Sequence, residues 1–231
     1  MENTDETLHC ALNHYALVAF KDAYWTLPSV ERAQFHTNWL GALHEAAQNV
    51  DIYQATESGV DLLVWSAATA DAKLDTATFF GNFARACAPF RHLIEITDTL
   101  WGFTRPSQYS KASRSTQEID PFAQSRQPYL VIYPFSKTTK WYLMSREARQ
   151  GMMNEHIRIG KQYENVCQLL LYSTGLQNQE FVVVYETDDL PRFSALVTEL
   201  RDTAARPYTL RDTPLHTAIY HPAEETLALW K

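Results

Sequence analysis

The chain has 231 residues, enough for one large domain or two small ones whose core needs no disulfide or metal staple. Its 45% apolar and 20% charged residues are ordinary for a folded globular protein and exclude a disordered or fibrous chain. A formal net charge of -7 argues against general nucleic-acid binding, which needs a positive stripe to neutralise phosphates.

In chain order, residues 1–9 are polar and expected to fray. Residues 11–20 read as a strand, because Tyr15, Leu17, Val18 and Phe20 favour pleated sheet. Pro28 opens a helix predicted to run to about Asn49, with Val30, Phe35, Trp39, Leu40 and Leu43 as its apolar stripe. Residues 52–54 and 60–66 read as two strands joined around Glu57-Ser58-Gly59. A second helix fits residues 72–87, with Phe79, Phe80, Phe83 and Ala84 inward and Pro89 at its exit. Residues 92–103 supply a further strand.

The same order recurs in the second half. Residues 128–135 read as a strand, and Ser145 caps a helix that carries Ala148, Met152, His156, Ile159 and Tyr163 on one face. Two strands follow at 166–172 and 180–185, separated by the turn Ser173-Thr174-Gly175. Asp188 or Asp189 starts a helix bearing Phe193, Leu196, Val197 and Leu200, and a last strand is expected within residues 208–220. The repeated pattern predicts the α+β class: tandem ferredoxin-like (split βαβ) domains of the dimeric α+β barrel type. The predicted boundaries are 1–104 for the first domain, 105–127 for a connecting loop and 128–231 for the second. The loop looks solvated from Ser107, Ser110, Ser113, Ser115 and Thr116, and it exceeds the usual connection inside a compact domain.

No run approaches the roughly 18 apolar residues of a membrane span, and the acidic start lacks the parts of a signal peptide. The cytoplasm is therefore the expected location, with no membrane partner. Cys10, Cys87 and Cys167 show no paired spacing, so reduced thiols are expected rather than disulfides or a zinc or iron–sulfur site. The 12 Tyr, 11 Phe and 6 Trp suit an apolar cofactor cavity or an oligomer interface, as well as ordinary core packing.

No HExxH, GxGxxG, P-loop or nucleophile elbow is present. What carries chemistry is a histidine among methionines, and a phenol and an ammonium four positions apart. His156 on an apolar helix face laid against a sheet can present one axial nitrogen to a flat slot, although a lone helix histidine reads first as a core or surface residue. Tyr133 and Lys137, at the end of a strand, can both reach a cleft mouth; the alternative is Tyr133 in the core and Lys137 in solvent.

Tyr133-Pro134-Phe135-Ser136-Lys137, Trp141-Tyr142-Leu143 and Met152-Met153-Asn154-Glu155-His156 followed by Gly160 closely resemble the chlorite dismutase-like haem protein family. So do Leu171-Tyr172-Ser173-Thr174-Gly175-Leu176, Glu180-Phe181-Val182-Val183, Leu200-Arg201 and Tyr208-Thr209-Leu210-Arg211-Asp212-Thr213-Pro214. That family contains chlorite dismutases and coproheme decarboxylases. The resemblance implies haem b or iron coproporphyrin III in the second half, with His156 as the metal ligand. It further implies cofactor contacts from Tyr133, Lys137, Trp141, Met152 and Gln168, and commonly a ring of five subunits.

Within that family the distal residue separates the activities. Chlorite dismutases carry arginine on the strand after the histidine helix, whereas many coproheme decarboxylases carry glutamine. The corresponding position here is Gln168, or Cys167 if the register slips by one, and Arg126 is the arginine that could act from another segment. The resemblance assigns catalytic roles to Tyr133, Lys137 and Gln168. It implies a haem-dependent oxidoreductase, first a coproheme decarboxylase using peroxide with the porphyrin propionates as substrate. The alternatives are a chlorite dismutase, or a haem-binding protein with incidental peroxidase activity. The proximal glutamate of the chlorite-decomposing pattern is missing; Asp202 or Glu155 is the candidate substitute.

Overall fold

A computed structural model describes residues 10–109 and 116–231. The expected fraying of residues 1–9 and the solvation of Ser110, Ser113 and Ser115 lie outside the described residues. In chain order come β1 (Ala11–Phe20), α1 (Asp22–Trp25), α2 (Ser29–Ala46), β2 (Asn49–Ala55), β3 (Leu62–Thr69), α3 (Asp75–Cys87) and β4 (Ile94–Phe103). The second half holds β5 (Tyr129–Lys137), α4 (Thr139–Leu143), α5 (Arg146–Gly160), β6 (Val166–Tyr172), β7 (Phe181–Thr187), α6 (Leu190–Arg201), β8 (Thr209–Arg211), β9 (His216–Tyr220) and α7 (Ala223–Ala228).

The expected fold class is corrected. Among the described residues the strands form a single nine-stranded sheet in a mixed α/β fold, ordered β7-β6-β4-β1-β3-β2-β9-β5-β8, with β5 also pairing with β7. Tandem ferredoxin-like units of a dimeric barrel type are not what is found, because strands of the two halves pair with each other. Phe103 on β4 faces Tyr172 on β6, and Tyr53, Gln54 and Ala55 on β2 face Tyr220, Ile219 and Ala218 on β9. The reason is visible in the packing: Tyr15, Leu17, Leu63 and Trp65 from the first half share one core with Leu130, Ile132, Leu169 and Val184 from the second. A sheet face buried on both sides is apolar at successive residues, so the alternation that would have assigned strands to separate sheets is absent.

Helices lie on the outer face in both halves, with different results. Under α2 and α3, Phe35, Trp39, Leu43, Phe79 and Phe83 fill the layer, and the His14 ring packs 4.6 Å from Phe83. Val30, expected on the α2 stripe, is 77% exposed. Five residues before Phe35 is about 140° around a helix of 3.6 residues per turn, so it falls off the buried face. Under α5 and α6 the apolar layer is thinner, built on Val131, Ile159, Tyr163, Val183, Tyr185, Phe193 and Leu196, and space remains.

Local signals held where side-chain chemistry is explicit. Ser145 Oγ accepts from Ala148 N at 3.2 Å and starts α5, while Asp189 Oδ1 accepts from Arg192 N at 3.0 Å and starts α6. Gly59 at φ 80° and Gly175 at φ 79° make the two turns, in a left-handed region where a side chain would be strained. The single strand expected within 208–220 is two: β8 pairs with the end of β5 and β9 with its beginning, and Pro214, which lacks an N–H, lies between them. The short helices α1, α4 and α7 were not anticipated; pieces of four to six residues carry too little periodicity to read.

The connecting segment is more embedded than its composition suggests. Gln117 Nε2 donates to the carbonyls of Gly160, Tyr163 and Val166 at 3.3, 2.8 and 3.2 Å. Ile119 is 4% exposed and its N–H donates to Gln168 O at 3.1 Å, so the segment is stitched to β6.

Candidate functional site

The space under α5 and α6 is a cavity of about 2230 Å³. That exceeds the roughly 300–1,000 Å³ of a pocket for a drug-sized molecule and leaves room for a large planar ligand. Its floor is the outer face of β5, β7 and β6, where strand alternation and register set the rows. Tyr133 pairs with Val183 and Val183 with Leu170; one row on, Val131 pairs with Tyr185 and Tyr185 with Gln168. The roof is α5, which presents Arg149, Met153, His156 and Gly160 at helical spacing, together with Leu196, Val197 and Leu200 of α6.

Of the residues singled out from the sequence, Tyr133, Lys137, Trp141, His156 and Gln168 all line this one cavity. Met152 does not; Met153, one position on, takes its place. The Gln168 or Cys167 ambiguity resolves by alternation: Cys167 packs with Leu169 and Leu171 on the inner core, which leaves Gln168 and Leu170 facing the cavity. All three cysteines are free.

His156 is the group best suited to ligation. Its Nδ1 is buried with no hydrogen-bond partner among the described residues. Its pKa is lowered to about 4, chiefly by burial and then by the positive charge of Lys137, against a smaller opposing pull from Glu155. The imidazole is therefore neutral at pH 7, the form that donates a lone pair to a metal. Glu155 is not its hydrogen-bond partner: Glu155 Oε2 accepts from Ala204 N at 3.1 Å and ties α5 to the turn after α6. Asp202, the other candidate, is exposed.

The mouth is cationic and aromatic. Lys137 Nζ lies 4.6 Å from the Trp141 ring centroid and 3.4 Å from Thr209 Oγ1, and its backbone N–H donates to Glu180 Oε2 at 2.7 Å. Burial first, and then Arg206, lower its pKa to about 8, with Glu180 opposing. Arg201 and Arg206 both pair with Asp212 beside it. Such a rim fits a ligand that carries carboxylates on an apolar body.

Arg126 does not serve the cavity. It lies on the inner side of the sheet, its side chain 1% exposed, with Nε 2.9 Å from Asp51 Oδ2 and its guanidinium 4.0 Å from the centre of the Trp65 ring. Several cavity residues were missed from the sequence, Tyr185 and Arg105 among them. Tyr185 sits beside Tyr133 on the floor, and period-two counting from Val183 could have found it. Arg105 lies 5.2 Å over Tyr172 at the far end, with no sequence signal to place it.

The profile of the chlorite dismutase family matches residues 30–220. The chain belongs to the chlorite dismutase family. It is 28% identical over 173 residues to the coproheme decarboxylase of Mycolicibacterium smegmatis, covering 73% of this chain and 70% of that protein. Chlorite dismutase of Candidatus Nitrospira defluvii in complex with imidazole superposes with a TM-score of 0.79 at 23% identity, over 95% of this chain and 94% of that one. A mutant of the same enzyme in complex with cyanide gives 0.80 at 24%, again over 95% and 94%. At these identities the two structures speak for the fold.

Membership of this family supports catalytic potential and a haem cofactor, and the residues present fit one: a neutral imidazole with a buried Nδ1, a large cavity with apolar side chains in its walls, and a cationic rim. Among the described residues no group of three or more His, Cys, Asp or Glu is placed to hold a bare metal ion. A metal at His156 would need the ligand set that a macrocycle brings with it. Among the described residues no helix is long and apolar enough to cross a membrane.

Proposed function

We propose that this protein is a haem-dependent oxidoreductase that decarboxylates iron coproporphyrin III with hydrogen peroxide, the porphyrin propionates being the substrate. The observation that carries the reading is the distal wall. Opposite His156 the floor offers the uncharged amide of Gln168, while Arg126 is held behind the sheet by Asp51. A fixed guanidinium at that place would hold a small oxyanion through the reaction; a neutral amide leaves peroxide as the better-suited oxidant.

Bound at His156, the iron porphyrin would supply the redox chemistry that activates peroxide. The protein's own residues do the rest. His156 ligates through a neutral nitrogen, and with no carboxylate on its Nδ1 it stays a weaker electron donor than an imidazolate. Lys137 pairs with a propionate at the mouth, supported by Trp141. Tyr133, on the cavity floor, loses a hydrogen atom to one oxidising equivalent of peroxide and takes one from the propionate β-carbon; as carbon dioxide leaves, the resulting carbon radical gives up a second electron to the other equivalent, and a vinyl group remains. Met153, Leu196, Val197 and Leu200 exclude water from the macrocycle faces.

A second reading, chlorite decomposition, is favoured by the match to the chlorite dismutase profile and by Arg105, a cation at the far end of the cavity. A third, haem binding with incidental peroxidase activity, predicts that Tyr133→Phe changes nothing measurable. Reconstitution with iron coproporphyrin III and haem b in parallel, followed by peroxide and mass spectrometry, tests them together. Vinyl-bearing products from coproporphyrin, lost in Tyr133→Phe, are expected; their absence from the wild type rejects the reading, and oxygen release from chlorite in its place supports the second. His156→Ala is expected to lose the Soret band in either case. The proposal includes a cytoplasmic homopentamer, with the division at residues 1–104, 105–127 and 128–231 as its working units; sedimentation velocity and limited proteolysis test assembly and division.

A further inference from the structure

Tyr133 is not alone on the cavity floor. Tyr185, 5% exposed, lies diagonally across from it on β7, with ring centroids 6.1 Å apart and planes inclined by 27°. A side-chain hydrogen bond between the two hydroxyls raises the Tyr133 phenol's pKa and lowers that of Tyr185. Both side chains line the cavity, and Tyr185 is the register partner of Gln168. Gln168, Tyr185 and Tyr133 thus form a continuous polar line across three strands in an otherwise apolar floor. Burial pushes both phenols up and keeps them protonated at neutral pH, so neither can lose an electron comfortably without also losing its proton.

We propose that Tyr185 is a second redox-active phenol, which shares the oxidising equivalent of Tyr133 by hydrogen-atom exchange across their hydrogen bond. The inference rests on the peroxide-dependent reading above. Hydrogen peroxide, reduced to water, is the oxidant, and one of its two oxidising equivalents removes an electron and a proton from Tyr133. In the exchange, the Tyr133 oxygen, now an acceptor, receives one proton and one electron from the Tyr185 O–H. One O–H bond forms as the other breaks, so the radical moves with no net redox change. The stacked rings and shared hydrogen bond let electron and proton move together, avoiding a charged phenol in the apolar floor. Tyr185 therefore holds the equivalent while Tyr133 is engaged with one propionate or between turnovers, and Phe193, 5.1 Å beyond, cannot carry it further because it has no hydroxyl.

The test is freeze-quench electron paramagnetic resonance of protein loaded with iron coproporphyrin III and mixed with peroxide. Wild type, Y133F, Y185F and the double variant are compared, with ring-deuterated tyrosine to identify tyrosyl signals. The wild-type tyrosyl signal is expected to be a composite of two radicals, of which Y185F keeps only the Tyr133 component, with g-values shifted as the hydrogen bond is lost; Y133F and the double variant are both expected to lose the signal, because Tyr185 is oxidised only through Tyr133. A wild-type signal that Y185F reproduces unchanged in lineshape and yield, or a tyrosyl signal retained in Y133F, overturns the exchange. Mass spectrometry of the same samples separates the two claims: products without the predicted radical pattern overturn the exchange alone, and the radical pattern without products overturns decarboxylation alone. A second measurement uses ligand-free protein with 3-nitrotyrosine placed at position 185. Its phenol pKa should rise when Tyr133→Phe removes the hydrogen bond, and an unchanged titration overturns the pairing.

Discussion

Replacing Glu186 by Gln removes a buried acid from the inner side of β7 while keeping its shape. Glu186 is 5% exposed, its Oε1 lies 3.6 Å from Arg126 Nη1, and Arg126 is already held by Asp51 at 2.9 Å. Burial raises the Glu186 pKa from 4.5 to about 7, against the lowering pull of Arg126 and of a backbone hydrogen bond from Gln127. A shift of that size corresponds to roughly 3 kcal/mol. The sign follows from where the proton sits. Below pH 4.5 both folded and unfolded chains carry it; between there and about pH 7 the unfolded chain ionises while the folded one does not. The folded state therefore loses stability as pH rises through that window and loses no more above it. Urea unfolding of wild type and Glu186→Gln from pH 4.5 to 8 reads the difference, with other carboxylates cancelling. The variant should match the wild type at the acid end and exceed it by about 2–3 kcal/mol at pH 8. A difference independent of pH, or a variant less stable at pH 8, would refute the assignment of the raised pKa to burial of an uncompensated acid.

Other consequences concern the join between the halves and the cavity mouth. Gly102→Ala would bring a Cβ within 2.6 Å of Ser173 Oγ and 2.8 Å of the Tyr172 carbonyl, where β4 meets β6. It should cost about 1–3 kcal/mol, seen as a lower urea midpoint with an unchanged slope. Gln117→Ala strips one donor from three carbonyls at the end of α5 and should lower stability by about 1–3 kcal/mol and speed proteolysis in residues 105–127. Lys137, with its pKa lowered to about 8, should hold a propionate only when protonated. Affinity for iron coproporphyrin III should then fall above pH 8 in the wild type, and Lys137→Met should be weaker at pH 7 with that fall abolished.

Much of the site was legible because ligand chemistry and local geometry share the same residues. Ser145 and Asp189 announce their helices by side-chain oxygens that satisfy helix-end N–H groups, and that bond is local. By type and spacing His156, Tyr133 and Lys137 read first as core or surface residues; the family resemblance singled them out, and the structure brings all three to one cavity. Met152 was placed on the His156 face by its spacing of four, yet Met153 is the one at the cavity, because one position turns a helix face by about 100° and only the packed helix says which edge meets it. Arg126 reads in the sequence as an arginine that could act at the distal side, yet its partners Asp51 and Glu186 are 75 and 60 positions away, beyond any local signal.

By itself the sequence determined the order of the longer strands and helices, the caps and glycine turns, and the residue types that the proposed site draws on. Each of these depends on neighbours within a few positions. Only the tertiary structure decided that the two halves share one sheet, that the layer under α2 is filled with rings while the layer under α5 is open, and that Tyr185 stands beside Tyr133. Those facts are set by contacts between distant strands: a pleat records which side of its own strand a residue takes, and only packing determines what lies opposite.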